Sequence, residues 1–456
     1  MRKQAILFVL LSLSSLLLCS PLVVCAQWEP DVRLTYNDSI SCTSTNNAWC
    51  ITSGPNNHVH VVWYDTRDGK SEIYYKHSWD GGLHWTADTR LSFSPDSSIR
   101  PAVAAADSCV YVGWILYRGG APYICVKRST DCGTTWGADT VLSSTYDQIS
   151  LCLAASGPYV HLVWNYPGIN YWRSTDAGVT WEYNSNLNGY DYPSITSHGL
   201  DVHLARTDTR TGYRDIFYTR STDAGATWLP DVRLTFSTGD IRTPSIAATD
   251  SVIHVVWRES RAWWNVFYSR STDGGLTWSP SCSLAVGIYP SVTASERMVH
   301  VVWEGRDVAR LHYRRSTDAG LSWSSDTCLV QTPNTFIYPS ICCSGSAVHV
   351  VWRDSRTGNY EIYYKRNPTG NSGVGESIGS FYPLTPNLSF SVIPNPFTSF
   401  ARIPGHEADR FALYDISGRR VGVYKGDRIG EGLRVGVNFL RAESGKAKPV
   451  RIVKVR

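Results

Sequence analysis

Arginine and tyrosine recur at matched positions along this chain, in a pattern suited to holding an anion. Arg100, Tyr192, Tyr289 and Tyr338 each stand just before a proline that opens a short run of small residues, PAVAAA at 101, PSITS at 193, PSVTA at 290 and PSICC at 339. Arg242 lies one residue further from the proline of PSIAA at 244. A guanidinium pairs bidentately with a carboxylate or sulfate, and a phenol stacks on a sugar ring or donates to it. A cleft lined by both suits an anionic sugar, with Tyr338, Arg100 and Arg242 as the candidates for any catalytic role. The alternative at each position is a side chain that only caps the core.

A second set of cations is more regular. Asp65-Thr66-Arg67, Asp208-Thr209-Arg210, Glu259-Ser260-Arg261 and Asp354-Ser355-Arg356 each follow a segment of the form VHVVW, and Arg118 aligns with them but lacks the acid. Arg67, Arg210, Arg261 and Arg356 are candidate ligand-binding groups. Their recurrence equally fits an acid and an arginine paired across each hairpin.

These residues sit on a repeat. Ser-x-Asp-x-Gly-x-x-Trp occurs six times, beginning at Ser78, Ser129, Ser174, Ser221, Ser271 and Ser316, with its aspartates 45 to 51 residues apart. A period of that length means one supersecondary unit stacked many times. VHVVW-type runs at 59, 110, 160, 202, 253, 299 and 348 make seven copies, one more than the turns. Each is short, β-branched and aromatic, as a strand requires, and a second strand such as EIYYKHS from Glu72 follows. With the small-residue run before and an RLS or RLT run after the turn, the unit is four antiparallel strands. Radial repetition of such units is a β-propeller. The fold expected is all-β, a seven-bladed propeller with a small β-sandwich behind it.

Ring closure is legible too. WEPDVRLTY from Trp28 nearly duplicates WLPDVRLTF from Trp228, whereas the seventh unit runs out after Arg366 without turn or fourth strand. The amino-terminal segment is therefore expected to complete the last blade.

The repeated turn resembles the Asp box of sialidases and other Asp-box (BNR-repeat) propellers, over residues 28 to 366. The resemblance implies that Asp80, Asp131, Asp176, Asp223, Asp273 and Asp318 are structural, on the face away from any active site. It also implies two alternatives, a six-bladed sialidase-type ring and an exo-α-sialidase activity cleaving terminal sialic acid. Sialidases of this kind use an arginine trio, a Tyr with a Glu, and an Asp acid/base, the first arginine lying in an Arg-Ile-Pro opening the first blade. Here that blade opens Ser39-Ile40-Ser41-Cys42, and the only Arg-Ile-Pro, Arg402-Ile403-Pro404, lies beyond the propeller. The expectation is non-catalytic binding of an extracellular glycan or surface protein.

The ends of the chain point to export. Arg2 and Lys3 precede an apolar run to Leu18, with a cleavable stretch ending at Ala26, so residues 1–26 read as a secretory signal. The propeller is assigned to 27–366 and a linker rich in Gly, Ser, Pro and Asn to 367–387. Residues 388–456 carry PNPF at 394, LYDISGR at 413 and GVNFLR at 436, with 13 Lys and Arg against 6 Asp and Glu from Ser389 onward. In that order these elements resemble the carboxyl-terminal sorting domain of type IX secretion, which implies the outer-membrane secretion machinery as partner and a secreted or surface location in a Gram-negative-type envelope. No later stretch is apolar enough to span a bilayer. Of the ten cysteines beyond the signal, Cys42 and Cys50 form the expected local bridge. A net charge of +4 over 456 residues argues against nucleic acid, and no motif calls for a metal or cofactor.

Overall fold

Alternation in the VHVVW-type segments decides the architecture. Val59, Val61 and Trp63 face one side and His60 and Val62 the other, and all five are buried, so these strands are covered on both faces. In the computed structural model each is the second strand of a four-stranded antiparallel blade. The structure describes residues 28–370 apart from 45–48, 145–149, 166–167, 188, 237–238, 261–262, 307–309 and 332–337. Beyond these it describes 410–414, 420–425, 427–429, 436–442 and 450–454.

Blade 1 spans Ser41–Arg90, blade 2 Ser98–Ser144, blade 3 Leu151–Leu187, blade 4 Asp191–Arg233, blade 5 Asp240–Val286 and blade 6 Ile288–Gln331. Blade 7 takes its first three strands from Ser340–Asn367 and its outer strand from Val32–Arg33. The ring thus has seven blades, not the six of the alternative. In blade 1 the inner strand is split into Ser41–Cys42 and Ile51–Ser53, both paired with Val59–Asp65. Small inner-strand residues, among them Ala104, Ala154 and Thr196, line a void of about 110 Å³ between the inner strands of blades 1 to 4.

Closure follows the duplicated sequence. Val32 pairs with Tyr364 and Arg33 with Tyr363. Ion pairs fasten the seam: Arg33 to Glu361 at 2.6 Å, Lys365 to Asp31 at 2.6 Å and Arg366 to Glu29 at 2.6 Å.

Adjacent blades are joined by a repeated latch. The histidine of the second strand places Nδ1 2.7–2.8 Å from a tyrosine hydroxyl on the third, as in His60–Tyr75, His161–Tyr171 and His254–Tyr268. That tyrosine then meets the next blade's turn tryptophan edge-on, at 4.8 Å for Tyr75–Trp136 and 5.0 Å for Tyr171–Trp228. Such pairs contribute about 0.5–1.5 kcal/mol beyond burial. The turn glycine beside it has no room for a side chain: a Cβ on Gly225 would lie 1.7 Å from Tyr171 Oη. Blade 2 departs from the pattern, with Tyr111 at the histidine position packing against Gly178 of blade 3. Trp28 takes the tryptophan role for blade 7, 4.9 Å from Tyr313. Contrary to the expectation that blade 7 has no turn, Asn367 to Gly370 stands in for it. The Gly370 carbonyl accepts from Tyr313 Oη at 3.3 Å, as the Gly274 carbonyl accepts from Tyr218 Oη at 3.5 Å.

Within each turn the serine and aspartate satisfy the local backbone. Ser174 Oγ donates to Asp176 Oδ1 at 2.7 Å and accepts from Gly178 N at 2.8 Å, while Asp176 Oδ1 accepts from Thr180 N at 2.8 Å. Donors from Thr180 and Ser174 hold the Asp176 carboxyl down at about 2. The six aspartates are thus spent on turn geometry.

The expected Cys42–Cys50 bridge is not formed; among the described residues all ten cysteines are free. The two thiols have separate partners: Cys42 Sγ accepts from Arg353 at 3.4 Å and Cys50 Sγ from the Ser44 amide at 3.2 Å. Residues Glu376–Arg456 form a separate unit. Its described part is one antiparallel sheet, in the order Arg420–Lys425, Arg410–Tyr414, Gly436–Ala442, Val450–Lys454. The PNPF motif lies outside the described residues.

Two outcomes follow from the latch. Gly225 has a φ of +78° as well as Tyr171 against it, so Gly225→Ala is expected to cost about 2–4 kcal/mol. An unchanged urea midpoint would refute the latch. Burial also holds His60, His161, His254, His300 and His349 down to about 3 and His203 to about 4, against 6.5 when exposed. The unfolded chain therefore binds protons first as pH falls. Stability is full above pH 6.5 and declines from there toward about 3, at up to ~1.4 kcal/mol per pH unit for each histidine. The turn aspartates, at about 2 rather than 3.8, add a further loss below about pH 4. Urea unfolding at a series of pH values checks this, and a flat profile between pH 7 and 5 contradicts it.

Candidate functional site

On the face opposite the turns, the chain enters five of the seven inner strands, those of blades 2, 4, 5, 6 and 7, through an unusual backbone conformation. Arg100, Tyr192, Thr243, Tyr289 and Tyr338 all have φ between +42° and +54°, each directly before a proline. Non-glycine residues seldom adopt this region, and strain of this kind concentrates where function requires it. In four of the blades it coincides with a bulge in the pairing of the first two strands, at 99–102, 191–194, 242–245 and 288–291. Bulges re-aim side chains at strand ends. In blade 5 the left-handed position belongs to the buried Thr243 rather than to Arg242, which instead pairs with Asp240 at 2.8 Å.

The second contribution was not singled out from sequence. It is the residue after the tryptophan position of each VHVVW-type strand: Tyr64, Ile115, Asn165, Thr207, Arg258, Glu304 and Arg353. The rest of that strand repeats closely while this position changes from blade to blade, and that variation within a fixed frame is the signal that marks it. Arg258, Arg353 and Asn165 each meet a residue of the next blade, Tyr289, Cys42 and Asp191 respectively.

Together the two sets build a continuous stack across blades 5, 6 and 7. The Arg258 guanidinium lies 4.7 Å from the Trp264 ring centroid and 4.7 Å from that of Tyr289. Tyr289 meets Tyr338 edge-on at 4.6 Å, and Arg353 covers Tyr338 at 4.6 Å and Tyr360 at 4.6 Å. Cation and aromatic alternate, as cation–π attraction favours. The Tyr338 hydroxyl is pushed upward in pKa by burial and by Tyr289, with Glu304 adding to the effect and Arg353 opposing it.

Across the mouth sits an acid. Asp191 Oδ1 accepts from Asn165 Nδ2 at 2.8 Å and from the Tyr192 amide at 2.9 Å. Burial keeps its carboxyl above the ordinary range, although the Tyr192 amide and the guanidiniums of Arg214, Arg242 and Arg100 pull it down. Arg100 also bears on Tyr64 across the seam of blades 1 and 2. The structure thus brings Arg100, Tyr192, Arg242, Tyr289 and Tyr338 to one rim.

The other arginines are engaged elsewhere. Arg67 binds Asp65 at 2.7 Å and Asp88, the residue before the outer strand, at 2.6 Å. Arg210 binds Asp208 and, at 2.7 Å, Asp231, and Arg356 binds Asp354 and, at 2.7 Å, Asp31. Each also covers an aromatic ring, of Tyr74, Phe217 or Tyr363. These three fasten second strand to outer strand, as a repeated hairpin pair would. Arg261 lies outside the described residues. A cleft of about 580 Å³ between blades 1 and 2 holds Lys70 and Asp96, whose charges meet at 3.7 Å. That cleft offers no net charge to a ligand.

Arg258 is different. It is only 9% exposed, its Nε has no hydrogen-bond partner, and no carboxylate pairs with it among the described residues. A buried charge left this way costs stability unless something else supplies the anion.

No protein-family model matches this chain, and no curated protein does. Solved structures do. A protein of unknown function from Dyadobacter fermentans is 15% identical with a TM-score of 0.51, over 75% of this chain and 98% of its own. An ulvan lyase, a polysaccharide lyase, is 10% identical with a TM-score of 0.53, over 74% of this chain and 95% of its own. A Hadza microbial sialidase aligns more loosely, at 13% identity and a TM-score of 0.44, over 73% of this chain and 66% of its own. At these identities the likeness is one of fold.

Removing the unpaired charge while keeping its stem tests this description. Arg258→Met is expected to raise unfolding stability by about 1–3 kcal/mol. A fall in the melting midpoint would mean that the guanidinium is already satisfied.

Proposed function

We propose that this protein is an exported Asp-box propeller that binds acidic saccharides at the channel mouth. The observation that carries the reading is Arg258, a residue only 9% exposed whose guanidinium lies between two aromatic faces with its buried Nε unpartnered. A sugar carboxylate or sulfate supplies the missing anion bidentately, and Tyr289 and Tyr338 offer phenols to the ring that carries it. The fold shared with a polysaccharide lyase is consistent with a glycan-related role. On this reading residues 1–26 direct export, and 388–456 act as a type IX sorting domain that delivers the propeller to the cell surface or the medium. Its partners are extracellular glycans and the outer-membrane secretion machinery.

A second reading has one observation behind it. Tyr338 carries the influence of Glu304, and Asp191 is a carboxyl held above its usual range on the same rim. Such pairs suit a sialidase-like exo-glycoside hydrolase.

A glycan array probed with the purified full chain separates the cases. Binding is expected to acidic glycans over neutral ones, weakening as salt rises and lost on Arg258→Met. Equal binding to neutral glycans overturns the anion slot. Release of fluorophore from a fluorogenic sialoside, abolished by Tyr338→Phe, would replace the binding role with the catalytic one.

A further inference from the structure

We infer that the slot at Arg258 continues outward along the seam between blades 5 and 6, so that the ligand is an acidic oligosaccharide of at least two units rather than a free sugar acid. This rests on the acidic-saccharide reading above. Two cation–indole pairs occupy the seam. The inner pair is Arg258 on Trp264, closed by Tyr289 of blade 6. The outer pair is Trp263, from the blade 5 hairpin, with the Arg306 guanidinium of the blade 6 hairpin 4.8 Å from its ring centroid.

The outer pair is not explained by packing. Trp263 is 62% exposed, and the backbone is anchored without its ring, its carbonyl accepting from Asn265 Nδ2 at 2.9 Å. Arg306, like Arg258, has no carboxylate partner among the described residues. An exposed indole held under a cation offers a flat face to a sugar ring and a charge to its acidic group. Both indoles meet blade 6, Trp264 through Arg258 against Tyr289 and Trp263 through Arg306, so the two pairs front the same seam and can serve successive units of one saccharide chain. Two guanidiniums along one seam, neither with a carboxylate partner among the described residues, match a polymer with an acidic group on each unit, and a monosaccharide would leave the outer pair unused.

Calorimetric titration of the full chain tests this with galacturonate, N-acetylneuraminate and a heparin-derived uronate, each as monosaccharide and as tetrasaccharide. The expected result is at least tenfold tighter binding of a tetrasaccharide than of its monomer, with Trp263→Ala reducing the tetrasaccharide to the monomer's affinity and leaving the monomer unchanged. Because Trp263 is exposed, that variant keeps the fold. Equal affinity for monomer and tetramer, or a tetramer affinity untouched by Trp263→Ala, overturns the extended seam and leaves the inner slot standing. Absence of binding to every acidic probe overturns the inner slot, and this inference with it.

Discussion

The contact on which the rest depends is the tyrosine of one blade pressed against the turn of the next. It fixes the turn residue as glycine, because any Cβ there meets the phenol ring, and it seats the following tryptophan edge-on. One hydroxyl thereby couples a histidine in its own blade to the backbone of its neighbour. The chain ends obey the same constraint. Trp28 reaches Tyr313, and Gly370 receives that tyrosine's hydroxyl, so blade 7 is latched by two segments more than 300 residues apart in sequence. Blade 2 shows that the constraint is geometric rather than chemical: Tyr111, arriving from the other strand, fills the same space beside Gly178.

Because that latch holds one end of every seam, the other end is free to vary. At the channel mouth the left-handed entry repeats in five of the seven blades while the side chains do not. A cation between aromatic rings lies at the seam of blades 5 and 6, Tyr289 edge-on to Tyr338 at 6 and 7, Arg353 on Cys42 at 7 and 1, and Asn165 on Asp191 at 3 and 4. A left-handed residue before proline and an unpaired guanidinium both cost stability. The repeated latches supply the stability that offsets them.

Much of this was legible in the residues. Period and alternation gave blade number, strand order and closure by the segment at Trp28, because hydrophobic patterning and repetition are local properties of a chain. The rim tyrosines and Arg100 were found because each precedes a proline in register. Arg258, Glu304, Arg353 and Asp191 were not, since their significance lies in which neighbouring blade they meet. A run such as VVWRES looks like one more strand until Tyr289 is known to stand across from its arginine. The same limit produced the expected Cys42–Cys50 bridge: closeness in sequence did not reveal that Arg353, from blade 7, holds one of the two thiols.

The distribution of charge around the mouth also decides where a ligand sits. Among the inner strands of blades 1 to 4, a void of about 110 Å³ is lined by Val103, Ala104, Leu153 and Ile195 with Thr52 and Thr196, too small for a sugar ring and without a charged side chain. Blade 2 contributes Ile99 and Ile115 beside its single Arg100. Three guanidiniums, Arg258, Arg306 and Arg353, and the stacked rings lie over blades 5 to 7, and those of Arg258 and Arg306 have no acid against them among the described residues. Attraction for an anion is therefore directed to one side of the mouth, along a seam whose walls are aromatic. A ring built from seven similar units has in this way acquired a single direction of approach, set by which side chain follows one tryptophan in each blade.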